Sequence, residues 1–565
     1  MSWKITERLR KTLAAEKGSL PTRRGASLSI CLIYPNRYRT AMGNLGFQTV
    51  HGLLNEIPGV LCERAFLPDA EDLQEYRRSG TPLLSLESQR PVSAFDLLAF
   101  SVSFESDYLN LPTIFSLAGL PPFAADRDNS MPLVMAGGAA LFLNPEPVAD
   151  FLDLVVIGEA EPLLAPLVAA ILENSGTGRS ELLRSLCTLP GIYVPSLYTP
   201  EYEDSRLAAV RGADGAPPRV QRVWAADLDS QPTGTRIHAP QAEFGDMHLV
   251  ELSRGCPRGC RFCAAGFIYL PYRGRSLETI KRQVDVALQE HRRIGLVAAA
   301  VGDFRGIGEL CRHILDAGGQ VSVSSLRIDG LDSEMIEVLA ASGHKTATLA
   351  PEGGSQRLRD LIRKGITEEQ ILDACERLIA RDILNLKLYF IIGLPTETDG
   401  DLAELVALVE KIRMRVVERA KQNRRLGEIT LSVNPFIPKP WTPFQWCGMA
   451  PLRELERKVA WLRKTLGKVP NVRLQVEGLK DALLQALLSR GDRRLAPLLV
   501  AAADSGNWRR AAKELGMDPE ALTGRIIPLD ELLPWEFIEA GNREHLVREY
   551  VAGLASAVVT GDASR

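Results

Sequence analysis

The chain has 565 residues, is 45% hydrophobic and 24% charged, and sets 67 basic against 70 acidic side chains for a net charge of -3. That length predicts three or four domains, and that balance gives no overall pull toward nucleic acid or an anionic membrane. Nine cysteines are too few for a disulfide scaffold. The opening stretch "MSWKITERLRKTLAAEKG" is charged and helix-like, unlike a signal peptide, and no apolar run is long enough to cross a bilayer. A cytoplasmic protein without a membrane partner is expected.

Residues 1–26 read as an N-terminal helical extension. Over residues 27–165 strand and helix patterns alternate. "SLSICLIYP" is a continuous apolar run ending in Pro35, as a strand buried on both faces should look. A helix pattern, "TAMGNLGFQTVHGLLNEI", follows, then "FDLLAFSVSF", "PLVMAGGAALF" and "FLDLVVIGEAEPLL". This repetition predicts a doubly wound, Rossmann-like α/β domain that binds a ligand at the carboxyl ends of its strands. A purely structural α/β domain is the alternative. Residues 166–245, rich in Pro, Gly and Asp toward their end, read as a connector with a short hairpin.

Residues 246–440 carry six apolar strand candidates: "MHLVELS", "GLVAAAVGDF", "QVSVSSLRI", "KTATLAPEGG", "LKLYFIIGLP" and "EITLSVNPF". Amphipathic helix patterns separate them, such as "TEEQILDACERLIARD". A partial (β/α)6 barrel is predicted, with its chemistry at the C-terminal strand ends. Residues 441–565 read as a helical C-terminal region.

The first barrel strand runs into "SRGCPRGCRFCAAG", which places Cys256, Cys260 and Cys263 in a C-x3-C-x2-C spacing. A reducing compartment and an odd cysteine count disfavour a disulfide. Structural zinc asks for four ligands, and the nearest downstream histidine is His291, at the end of a helix pattern. Three thiolates on a four-iron cubane leave one iron open to an external ligand. Arg254, Arg258 and Arg261 add positive charge suited to an anionic cluster, and Gly255 and Gly259 let one loop wrap it.

With Phe262 before the last cysteine, this segment resembles the radical S-adenosylmethionine (SAM) enzymes. The resemblance covers residues 246–438. It implies a 4Fe–4S cluster on the three cysteines, with SAM bound to the open iron. It implies reductive cleavage of SAM to a 5′-deoxyadenosyl radical, fed by an electron donor such as flavodoxin or ferredoxin. Oxygen sensitivity follows. In the family's order, Gly302 and Asp303 of "AVGDF" match the segment that receives the SAM amino group, although the usual double glycine and Glu are absent. Ser324 and Arg327 of "SSLRID" match the carboxylate-binding segment, Glu352 before Gly353 and Gly354 the ribose contact, and Ile392 and Gly393 the adenine contact. Helix caps or rim packing are the structural alternatives for each.

A doubly wound domain before such a barrel resembles the cobalamin-binding class of these enzymes. That resemblance implies cobalamin near Met42, Ser101, Ser103, Gly137 and Gly138. The Asp-x-His-x-x-Gly signature is absent, and His51 is the single histidine ahead of the connector, so a bound cobalamin would be base-off and His-off. Methyl transfer to an unactivated carbon is the implied reaction, on a substrate the sequence does not name. The alternatives are a methylthiotransferase-like modifier of RNA or protein, disfavoured because Cys31, Cys62 and Cys187 are widely separated, and a non-enzymatic Fe–S scaffold or sensor.

Overall fold

The run "LSICLIY" becomes β1 (Leu28–Tyr34), and its side chains are buried on both faces, as an interior parallel strand requires. Around it assemble β2 (Val60–Phe66), β3 (Leu97–Ser101), β4 (Leu133–Gly137), β5 (Leu154–Val156) and β6 (Ile192–Tyr193), in the order β2-β1-β3-β4-β5-β6. The strands β1 to β5 are parallel and β6 is antiparallel to β5. This computed structural model describes residues 2–18, 25–204, 206–323, 326–423 and 425–559. The chain leaves β1 toward one edge and returns through β3 to the other. The loops after β1 and β3 therefore part company and open a crevice at the carboxyl ends of the strands.

The first domain extends past residue 165. Helices Ala160–Glu173 and Arg179–Leu186 bury their apolar faces on it, and β6 completes the sheet. A two-residue strand carries no periodicity, so β6 leaves no mark that sequence reading can use. The connector does hold the expected hairpin, Tyr198–Glu203 against Arg206–Gly212.

Among the described residues the second α/β unit holds the six expected strands and takes a seventh from the C-terminal region. β7 (His248–Glu251), β8 (Arg293–Val297) and β9 (Gln320–Val323) form one parallel group. β10 (Thr346–Glu352), β11 (Asn385–Ile392), β12 (Ile429–Pro435) and β13 (Val472–Val476) form the other. Among the described residues a single parallel bridge, Leu326 to Leu349, joins the groups. Among the described residues no ladder returns from β13 to β7, so the barrel is partial. The seventh strand, "VRLQV", alternates apolar and polar residues but sits between long charged helices that mask it. On β11 the pleat sends Leu386, Leu388, Phe390 and Ile392 into the layer shared with the helices, and Lys387, Tyr389 and Ile391 to the opposite face.

The C-terminal region belongs to both units. Asn144 donates from Nδ2 to the carbonyls of Ser489 and Gly491 at 3.1 and 2.7 Å. Arg493 reaches Glu146 at 2.9 Å and Ser489 Oγ donates to Glu105 at 2.7 Å. Its final helix, Arg543–Val559, packs on the cysteine loop, where Glu549 pairs with Arg261 at 3.1 Å and Arg363 at 2.7 Å. Among the described residues no helix is long and apolar enough to cross a membrane.

Candidate active site

The cysteine loop starts where β7 ends. Ser253–Arg254 pairs antiparallel with Arg273–Gly274, so residues 255–272 form a closed loop over the mouth of the barrel. Gly255 has φ +81°, and a Cβ there would lie 2.7 Å from the Tyr269 carbonyl, so the loop closes through glycine. Cys260 is buried, Cys256 and Cys263 are half-buried, and all three thiols are free. Phe262 packs its half-buried ring against the apolar core between them. Burial, then the neighbouring Cys260, pushes the Cys263 thiol up to about 11, and burial likewise raises Cys256. Coordination to a metal would deprotonate such buried thiols outright. Among the described residues the three sulfurs are not gathered within 4.8 Å of one another, as ligands of one ion would be. Three soft sulfur donors on one glycine-hinged loop fit an iron–sulfur cluster.

Three strand ends bring their polar residues to this loop. Asp303 accepts from Arg258 Nε at 2.8 Å and from a second guanidinium nitrogen at 2.5 Å. Arg258 also reaches Asp329 at 3.1 Å, and Asp329 in turn holds Arg327 at 3.0 Å. The charges of Arg327 and Asp303 act on Cys256, and that of Glu352 acts on Cys263. The predicted acid, arginine and second acid thus converge on the cysteines from β8, the segment after β9, and β10. Glu352 sits at φ +65°, a strained conformation for a residue with a Cβ, beside a register shift in β10. Its carboxylate accepts from Lys364 Nζ at 3.3 Å.

Other predicted positions fall differently. Gly302 lies against the Gly330 backbone, where a Cβ would sit 3.2 Å from the carbonyl oxygen. The Ile392 side chain is fully buried on the helix side of β11, and Ile391 occupies the opposite face. Gly393, at φ +74°, admits Leu455 and Ala450, which a Cβ would meet at 2.8 and 3.1 Å. Ser324 lies outside the described residues.

A cavity of about 750 Å³ connects the two units. Ser101, Ser103, Gly137 and Gly138 line it from the first domain, and Arg254, Gly255 and Tyr269 line it from the cysteine loop. Asn44 donates to Ser103 Oγ at 3.0 Å and caps the helix Leu45–Glu56. Gly138, at φ +121°, lets its backbone pass Val102, whose carbonyl would be 2.3 Å from an added Cβ. Met42 stands outside the cavity, buried, with its sulfur 3.2 Å from Arg64. No histidine is among the lining residues. His51 lies inside the domain, 3.2 Å from the Cys62 carbonyl, and burial, aided by Arg64, holds it down at about 3.

Sequence reading missed the charges that join the two units. Glu159 bonds Arg273 at 2.6 and 2.9 Å and Arg254 at 3.0 Å. Arg254 also pairs with Glu161 at 2.5 Å and Glu251 at 3.0 Å, and Glu251 pairs with Arg275. The sequence signal was the "GEAE" segment after β5, whose partners lie some hundred residues away and are unreadable without the fold.

Two family models match this chain. That for radical SAM proteins, N-terminal, matches residues 46–195, and that for the radical SAM superfamily matches residues 250–409. An uncharacterized protein of Methanocaldococcus jannaschii, MJ0966, is 29% identical over 482 residues, which are 83% of this chain and 90% of that one. A tRNA-2-methylthio-N(6)-dimethylallyladenosine synthase of Acidithiobacillus ferrooxidans is 26% identical over 223 residues, 36% of this chain and 49% of the synthase. The chain thus matches about half the length of that synthase. Among solved structures, the radical SAM methyltransferase TsrM of Kitasatospora setae, with tryptophan substrate and a SAM analogue bound, aligns with a TM-score of 0.49 at 15% identity, over 87% of this chain and 99% of TsrM. The two family models fall on the two α/β units in chain order, and the second takes in the cysteine loop: the chain belongs to the radical SAM superfamily.

Proposed function

We propose that this radical SAM enzyme carries its 4Fe–4S cluster on Cys256, Cys260 and Cys263, and that it works with cobalamin to methylate an unactivated carbon. The observation that carries the reading is the cavity shared by the crevice of the first domain and the cysteine loop. A corrin held at the strand ends of one unit would lie in a space walled on its other side by the cysteine loop, at Gly255, Ala265 and Tyr269. When bound and reduced, the cluster supplies the electron that splits SAM, and cobalamin supplies a methyl carrier.

The residues have separable tasks. Arg327, whose Nε and Nη2 are held bidentately by Asp329, would offer its remaining guanidinium N–H groups to the SAM carboxylate. Asp303 offers a carboxylate to the SAM ammonium once Arg258 yields it. Glu352 offers acceptors to the ribose hydroxyls. Ser101 and Ser103 offer hydroxyls to the cobalamin tail, and the Gly137–Gly138 pair admits it closely. Phe142, Met135 and Leu164 in the cavity wall exclude water from a reactive radical.

Arg327→Ala and Glu352→Ala are expected to weaken SAM binding about ten- to a hundredfold, the worth of one charge-assisted hydrogen bond, while leaving iron content unchanged. Isothermal titration of the reconstituted protein measures this, and unchanged affinity in both variants removes them from the site. For cobalamin, anaerobic reconstitution with hydroxocobalamin followed by gel filtration should retain about one equivalent. Its visible spectrum should be unchanged in His51→Ala, since no histidine reaches the cavity. Failure to retain cobalamin on a protein with an intact cluster sinks the methyltransferase reading. It would leave a cobalamin-independent radical enzyme, for which the partial similarity to the tRNA methylthio synthase is the pointer. Against that second reading, Cys31 and Cys62 are buried within the first sheet and Cys187 is buried elsewhere.

A further inference from the structure

We propose that His238, His248 and His291 form a second metal site, which holds a zinc-class divalent ion at the base of the barrel, apart from the cysteines. His238 lies on the connector, on a segment that exchanges backbone hydrogen bonds with Lys17 at 3.0 and 2.9 Å. His248 is the first residue of β7, at the opposite end of that strand from the cysteine loop. His291 lies in the turn after helix Leu277–Ala287, its N–H bonded to the Ala287 carbonyl at 2.9 Å. Three segments distant in sequence thus deliver one imidazole each to one point.

Their spacing is that of ligands. One ring nitrogen from each lies within 4.8 Å of the other two. His248 Nδ1 and His238 Nε2 are 3.3 Å apart. Two nitrogens each about 2.0–2.1 Å from a tetrahedral ion lie about 3.3 Å from one another, so this pair already spans two vertices of a zinc site. The His238 and His291 rings stack with centroids 3.7 Å apart and planes 21° from parallel, so His291 turns out of that stack for its in-plane lone pair to meet the ion. His291 Nε2 is shielded from solvent and has no hydrogen-bond partner, an orphan that an ion would satisfy. Glu290 Oε2, 3.9 Å from that nitrogen, or a water can complete four-coordination.

The chemistry agrees with the geometry. Neutral imidazole is a ligand for zinc and its neighbours in the first transition row. Bound there, an ion ties the connector, the first barrel strand and the first barrel helix together, and so fixes the base beneath the strand that carries the cysteine loop. This site is independent of the reading of the cavity, because none of the three histidines lines it.

The test uses the full chain with its cluster reconstituted, dialysed against zinc chloride and then against buffer. Elemental analysis should find about one zinc per chain beyond the iron. Zinc X-ray absorption should show nitrogen scatterers rather than sulfur. His291→Phe keeps an aromatic ring to stack on His238 but removes the ligand. It should retain its iron and its circular dichroism and lose zinc affinity by at least about tenfold. No zinc uptake, zinc bound through sulfur, or undiminished uptake by His291→Phe each overturns the proposal, and the absorption spectrum of the unmutated protein decides it if the variant fails to fold.

Discussion

Replacing Cys256, Cys260 and Cys263 together by alanine is expected to abolish the iron–sulfur centre and with it all SAM cleavage. The effect is all-or-none because the loop offers the cluster no other sulfur. Cys311 and Cys375 are buried on helices that face the core, and Cys447 is buried too. Each single alanine variant should lose the centre too, since two thiolates leave two irons uncovered. The readouts are iron content, the visible absorbance after anaerobic reconstitution, and 5′-deoxyadenosine formed with dithionite and SAM. Cys311→Ala and Cys375→Ala are the controls. They trim packed side chains and should cost stability while keeping iron and cleavage. A triple variant with full iron and absorbance would remove the cysteine loop from the mechanism.

That loop was legible because its residues are local: three cysteines and two glycines within a few residues need no fold to be read together. The parallel strands were legible for a similar reason, since a run such as Leu28–Tyr34 shows its burial on both faces in its own composition. The strand-end residues were readable as a series, and Asp303, Arg327 and Glu352 do converge on the cysteines. What sequence could not show is side-chain direction and remote pairing. Ile391 rather than Ile392 leaves the helix layer, a matter of pleat phase that a continuous apolar run such as "FII" conceals. Met42 looked available in a glycine-rich stretch but is packed under Arg64, which itself answers to Glu16 and Glu87 from two other segments. The three histidines show no motif at all, because their meeting point depends on how the connector crosses the base of the barrel.

Glu159→Ala is expected to destabilise the protein by about 3–5 kcal/mol, the cost of stripping one partner from a buried ion network. The carboxylate is 5% exposed and accepts from Arg273, Arg254 and the Ala225 N–H. Its loss leaves Arg273 with no carboxylate, facing backbone carbonyls and the Trp224 ring, and leaves Arg254 to Glu161 and Glu251. Because Arg254 immediately precedes Gly255 and Cys256, the loop should loosen, and the variant should also lose its cluster faster on exposure to chelator than the parent does. Burial alone would raise the Glu159 carboxyl, but its hydrogen bonds from Arg273 and the charge of Arg254 outweigh this and hold it below the ordinary 4.5. Glu251 is depressed in the same way by Arg254 and Arg275 against its burial. A carboxylate whose folded value lies below its unfolded one stabilises the fold fully above the unfolded value, and that contribution disappears as pH falls through the folded value. The stability gap between parent and Glu159→Ala, from urea midpoints, should therefore be constant from pH 8 to about 5.5 and narrow at lower pH. A gap that widens on acidification, or a variant as stable as the parent at neutral pH, would mean that the two units are held together by their apolar contacts and not by this network.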